Sequence, residues 1–259
     1  MPKTRKKTTP LIAHPDAVRI VPLHGHAPYQ TVAPVAPAKL TYRNGPLLNA
    51  VEVFTIFWGK GWKAKPQSEM IAKVNGFLDF IITSPLIDQL SEYNTVGFKI
   101  GHGRRTGSVT LTTNSPGVSV TDSALQTFLK QQRTAGKVPK STANTLYFIY
   151  LPPGVRVVMG GSSSCQAFCG YHSSIGTSMF YAVMPYPGCT GCVGGLTPFD
   201  ALTSTSSHEL CEAVTDPVPG QGWYDDTNGE IGDICAWQTK TIGAYTVQLE
   251  WSNKAGACA

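Results

Sequence analysis

The segment from Thr197 to Thr215 reads as a helix with no side built for water. Thr197-Pro198 supplies an N-cap followed by proline at the first helical position, where a missing N–H costs nothing. Asp216-Pro217 ends it, because proline disfavours the helical conformation in the residue before it. Between these stops, Ala201, Leu202, Leu210, Ala213 and Val214 are joined mostly by small residues, so the helix is expected to be buried. Yet His208-Glu209-Leu210-Cys211-Glu212 places three ionisable groups in five residues. Buried charge is costly unless it is paired or binds a metal. The fold must therefore wrap this helix and give His208, Glu209 and Glu212 partners.

The rest of the chain supplies what can wrap it. Residues 51–58, rich in β-branched and aromatic side chains, predict a strand. From 67 to 82, Met70, Ile71, Val74, Phe77, Leu78 and Ile81 recur at spacings of three and four, which predicts an amphipathic helix. Residues 85–93 suggest a second short helix, and 121–133 a helix capped by Thr121 or Asp122. Strands are expected at 96–100 and 108–113, on either side of Gly101-His102-Gly103, and at 146–151, 155–159, 179–184 and 245–251. A turn is expected at Asp226-Thr227-Asn228-Gly229. Interspersed helices and strands give the α/β, or mixed α+β, class: a mixed sheet packed on helices with a zincin-like active helix. Residues 41–259 read as a single globular domain, with 145–259 as a zincin-like catalytic half. Residues 1–40 read as a flexible, basic, proline-rich arm.

Charged residues make up 14% of the chain and hydrophobic ones 42%, a balance that suits a folded domain. Of the net charge of +5, Lys3, Arg5, Lys6 and Lys7 supply four units. With no spacing typical of a nucleic-acid module, no nucleic-acid partner is expected. No apolar run reaches the roughly 18 residues of a membrane span. The basic start leads into Thr8-Thr9-Pro10, not into the apolar core of a secretory leader. Cysteine usage nevertheless favours an extracellular setting. Six of the seven cysteines lie between Cys165 and Cys235, and four of them form the short pairs Cys165-x3-Cys169 and Cys189-x2-Cys192, flanked by glycine and serine. These suit disulfide-tied loops in an oxidising compartment. A structural zinc site from Cys165, Cys169, Cys189 and Cys192 is the rival reading.

On a helix, positions i and i+4 project from one face, so His208 and Glu212 can share one cation. Glu209 follows the first of these and can reach a metal-bound water. This is the logic of the His-Glu-x-x-His zincins, with the second histidine replaced by glutamate. A third ligand has to come from elsewhere. Asp216 sits about 12 Å along the helix from His208 at a rise of 1.5 Å per residue, so it needs the helix end to bend. The stretch from Asp225 to Asp233 can fold back over the helix. Glu230 and Asp233 would face opposite ways on a strand, and Asp233 is the expected ligand. The Asp/Asn/Gly composition of this stretch also resembles a calcium-binding turn. The expected site is thus His208, Glu212 and Asp233 on Zn2+, with Glu209 as general base and a peptide or protein as substrate. His172 is a candidate oxyanion donor or simply a loop histidine near a disulfide.

Several short motifs resemble the EXORDIUM-like, phosphate-induced protein family of plants. They are Asn44-Gly45-Pro46-Leu47-Leu48 before the strand ending Phe57-Trp58-Gly59, Cys165-x3-Cys169-Gly170-x-His172, Phe180-Tyr181-Ala182-Val183, the Cys189/Cys192 pair, Val214-Thr215-Asp216-Pro217, and Cys235. They span residues 40–235. The resemblance implies an exported, cell-wall-associated protein with disulfides, and a non-catalytic binder of wall polysaccharide or of a partner is the alternative function. With His208, Glu209, Glu212, Asp216 and Asp233 present, the chain looks like a microbial relative carrying a zincin-type helix.

Overall fold

A computed structural model describes residues 20–24 and 37–259. The basic start and most of the expected arm lie outside the described residues. The architecture is mixed α+β, built on a six-stranded sheet. Its strands are β1 (Ile20–Pro22), β2 (Ala50–Trp58), β3 (Gly101–Leu111), β4 (Thr145–Tyr150), β5 (Phe168–Ile175) and β6 (Met179–Met184), in the spatial order β1-β5-β6-β4-β2-β3. β3, β2, β4 and β6 run parallel to their neighbours, β5 pairs antiparallel with β6, and β1 pairs antiparallel with β5.

Alternation along the central strands feeds two cores. Leu146, Phe148 and Tyr150 of β4 face one, and Tyr147 and Ile149 face the other. Helices α1 (Gln67–Ile81) and α2 (Pro85–Gln89) pack in the first core, and α3 (Asp122–Thr134), capped by the Thr121 hydroxyl, packs in the second. Helix α4 (Pro198–Thr215) lies in the first core against β5, β6 and a hairpin of β7 (Thr239–Ile242) and β8 (Tyr245–Gln248). Every residue of α4 from Ala201 to Thr215 is buried, as its composition predicts. Its hydroxyls bond inward: Thr203 donates to Thr246 O at 2.7 Å, and Thr215 to Cys211 O at 2.9 Å.

Three local expectations change. β3 is one eleven-residue strand running through its glycines, not two strands around them, and residues 96–100 carry no strand. Gly107 pairs with Phe54 just after a register irregularity, and glycine is needed there because a Cβ would come within 2.7 Å of the Phe54 ring. β5, which carries His172, was not predicted; its serines and glycine mask the strand pattern. Part of the expected arm is structured, since β1 joins the sheet edge and Val21 is buried. The cysteines pair across the two clusters, Cys165–Cys189 and Cys169–Cys192, with Cys235–Cys258 as a third disulfide. A zinc site from the first four is thereby replaced. Cys211 on α4 is a buried free thiol.

Candidate metal centre

His208 and Glu212 are one turn apart on α4, with His208 Nε2 2.9 Å from Glu212 Oε1. After α4, the chain turns at Asp216, whose carboxylate accepts the backbone N–H groups of Gly220, Gln221 and Gly222 at 2.6–3.0 Å. These three donors stabilise the anion and occupy it as a loop-former rather than a ligand. The returning segment brings Asp233 to α4: its N–H donates to Glu212 Oε1 at 3.1 Å, while Asp233 Oδ2 accepts from Glu230 N at 3.1 Å. Donor atoms of His208, Glu212 and Asp233 lie within 4.8 Å of one another, so the expected ligand set does converge. Gly232 permits this approach, because a Cβ there would be 2.7 Å from His208 Nδ1.

Glu230 and Asp233 do not face opposite ways. Residues 233–235 form a 3-10 turn, not a strand, and Glu230 is fully buried beside His172. The Asp225 side of the segment makes its own turn. Asp225 Oδ1 accepts from Thr227 N and Asn228 N at 2.8 Å, and Oδ2 from Lys39 N at 2.7 Å, so this carboxylate is spent on backbone rather than offered to calcium.

His172, which by sequence is either an oxyanion donor or a loop histidine, joins the buried acid cluster. Its Nε2 lies 3.1 Å from Asp216 O, and Nδ1 lies 3.1 Å from Glu209 Oε2 and 3.3 Å from Glu212 Oε2. With an acceptor on each ring nitrogen, His172 fits a doubly protonated imidazolium that pins Glu209, which leaves no N–H for an oxyanion. Burial opposes that charge, but Glu230, Glu209 and Glu212 outweigh it and hold the pKa well above the usual histidine value. His172, Glu209 and Glu212 also form a donor group within 4.8 Å of one another.

Among the described residues, several buried atoms of the cluster have no aligned hydrogen bond: His208 Nε2, Glu209 Oε1, Glu212 Oε2 and both Glu230 oxygens. At 2.9 Å from Glu212 Oε1, His208 Nε2 is close enough to bond but is not aimed to do so. Two donors beside one another without a bond between them are the arrangement that a common cation needs. Five carboxylates (Glu209, Glu212, Asp216, Glu230 and Glu250) stand with two imidazoles at zero exposure, so acid groups outnumber bases. Protons answer part of the excess: burial, ahead of the neighbouring acids, drives Glu230 well above its ordinary value, and burial does the same to Glu250.

At His208, two influences disagree. Burial opposes its charge, while Glu212, Glu209 and Glu250 outweigh burial and hold the pKa up at about 10. A second proton would have to sit on Nδ1, which faces Gln248 Nε2 at 2.8 Å. The amide orientation is fixed on both sides, with Nε2 donating to Gly232 O at 2.9 Å and Oε1 accepting from Trp237 N at 3.1 Å. Hydrogen-bond geometry is the firmer guide: Nδ1 accepts, and the proton resides on Nε2.

No family model matches this chain, and no curated protein is significantly similar to it.

Proposed function

We propose that this chain is a zinc-dependent hydrolase of the peptidase type, closed in the conformation described. The observation that carries the reading is the convergence of His208, Glu212 and Asp233 from two separate elements, with a buried His208 Nε2 that lies 2.9 Å from Glu212 Oε1 but has no aligned hydrogen bond among the described residues. Imidazole with two carboxylates is a fitting donor set for zinc, which would supply an acidified water and a polarised carbonyl when bound. Glu209 adjoins the first ligand on the helix and keeps Oε1 free to take a proton, while its Oε2 is anchored by His172. The substrate class is a peptide or protein. Three disulfides indicate an oxidising environment, and the resemblance to EXORDIUM-like proteins fits an exported, extracellular protein. No single helix among the described residues is long and apolar enough to cross a membrane.

One observation favours the second reading, a non-catalytic wall or partner binder: His172, His208, Glu209, Glu212 and Glu230 are all fully buried. Against it, two tryptophans that could have offered a stacking surface to sugars are drawn inward. Trp62 is buried and donates to Tyr150 O, and Trp223 is half-buried and donates to Tyr93 O.

Metal content after purification without added metal tests the choice. About one zinc per chain is expected, lost in His208→Ala and in Glu212→Ala. Glu209→Gln should keep the zinc and lose cleavage of a denatured-protein substrate. A chain that carries no metal and takes up none ends the hydrolase reading.

A further inference from the structure

The N-terminal strand is tied to both walls of the buried centre. On one side, Ile20 and Val21 pair with Tyr171 and Gly170 of β5, immediately before His172. On the other, Pro22 O accepts the indole N–H of Trp237 at 2.8 Å, and the His24 ring stacks on the same indole at 3.6 Å between centroids. His24 N also donates to Gly191 O at 2.8 Å. Val21 and Leu23 are buried with Cys169 and Cys192. This strap therefore joins β5, which carries His172, to the end of the segment that carries Glu230 and Asp233.

Trp237 has a left-handed backbone, with φ 66°, which a bulky residue adopts only when its surroundings impose it. That conformation aims its N–H at Gln248 Oε1, at 3.1 Å. With Oε1 so held, Gln248 presents its amide nitrogen to His208 Nδ1, and the imidazole proton is confined to Nε2. Nε2 is the nitrogen nearest Glu212, and a protonated nitrogen has no lone pair for a metal. A ligating histidine instead needs its other nitrogen to be a donor, with an acceptor to receive it.

We propose that residues Val21–His24 hold His208 in the tautomer that disfavours metal binding, acting through Trp237 and Gln248, and so weaken zinc binding without abolishing it. Docked, the strap holds Trp237 left-handed and the Gln248 oxygen turned away. Undocked, the turn from Gly232 to Trp237 relaxes, so that both contacts orienting the amide, Gly232 O and Trp237 N, are released and the amide rotates. Its oxygen then accepts Nδ1–H, and Nε2 is free to join Glu212 and Asp233. Trp237 and Gln248 are positioning residues, since neither belongs to the ligand set. The proposal rests on the zinc reading above but is tested first without metal.

The experiment uses the full chain with 15N-labelled histidine. Long-range 1H–15N spectra of the metal-free protein report the His208 tautomer, and competition with a chromophoric chelator reports zinc affinity. In the native chain His208 should be the Nε2–H form. Val21→Asp, which places a charge in a buried seat, and Trp237→Phe, which removes the indole donor while keeping a ring for His24, should both shift it to Nδ1–H. Zinc affinity should rise at least tenfold in each. Gln248→Glu offers an acceptor to Nδ1–H with the strap in place and should reproduce the gain alone. An Nδ1–H tautomer in the native chain overturns the lock, as do affinities within twofold across all three variants. If no variant binds zinc while the tautomers shift as stated, the lock stands and the zinc reading falls.

Discussion

Replacing His172 by glutamine tests whether this buried imidazolium holds the acid cluster together. The ring is fully buried, with Glu209 at 3.1 Å, Glu212 at 3.3 Å and Glu230 at 3.5 Å. Glutamine keeps a donor for Asp216 O but removes the charge facing three carboxylates. Breaking a buried ion pair from one side costs roughly 3–5 kcal/mol, because the remaining charge is left unpaired. The lower end, about 3 kcal/mol, is expected here because Glu230 can stay protonated. In a chain of this size that is a fall in Tm of roughly 6–12 °C. Urea unfolding of the chelator-treated protein with its disulfides intact measures it, and Glu209→Gln closes a double-mutant cycle with an expected coupling of about 1 kcal/mol or more. The pH dependence has a definite sign. His172 has a raised folded pKa, so its contribution is fully present below the unfolded value of about 6.5 and is lost only as pH rises through the raised folded value. Its own titration should therefore leave the stability gap steady from about pH 6.5 down, narrowing it only above neutrality. A cost below about 1 kcal/mol with no coupling to Glu209 would refute the imidazolium assignment.

Other outcomes follow from the same geometry. Gly232→Ala should drive a Cβ into the His208 ring, lowering zinc affinity by about tenfold or more while the disulfide pattern is unchanged; chelator competition checks it. Gly170→Ala places a Cβ 2.7 Å from Thr205 Cγ2 and 3.1 Å from Met184 Cε, so overpacking between β5 and α4 should cost roughly 1–3 kcal/mol in urea unfolding. Removing the Cys235–Cys258 disulfide by a double serine substitution opens a link between residues 23 apart and should cost about 3 kcal/mol by the loop-closure relation. Zinc at a hundred times its Kd should stabilise the native chain by about 2.7 kcal/mol, and His208→Ala should abolish that gain in a thermal scan.

Legibility in the sequence followed the range of the interaction. Helix α4 was readable at both ends because Thr197-Pro198 and Asp216-Pro217 act within a turn of backbone. His208 and Glu212 share a face by helical spacing alone, and that pairing required nothing distant. His172 could not be placed, since its partners are 37 and 40 residues away and meet it only through the order of strands in the sheet. Glu230 was set aside on strand alternation, and the 3-10 turn after Gly232 removed that premise. A cue was present in Gly229 and Gly232, where the close approach of Asp233 and of the His208 ring excludes a side chain. The disulfide partners were likewise hidden, because cysteine spacing does not define connectivity.

Burying an excess of acid against two imidazoles works against folding, and the covalent links stand where that cost falls. Cys169 is three residues before His172 on β5 and is joined to Cys192, while Cys235 is two residues after Asp233 and is joined to Cys258. Both segments that bring ligand-type residues to α4 are therefore fastened outside the cluster. Each link narrows the unfolded ensemble without adding charge to the core. That division of labour explains how a helix of small and apolar residues can hold His208, Glu209 and Glu212 at full burial: its own packing supplies the seat, and the disulfides hold the seat's two walls. It also bears on order of assembly. If the walls are set by disulfides, chelation should leave the backbone fold intact and soften only the segment from Glu230 to Trp237. Amide exchange in native and chelated protein distinguishes the cases. Faster exchange confined to residues 230–237 fits walls that stand alone, whereas faster exchange throughout β5 and α4 means that the cation, and not the disulfides, carries the cluster.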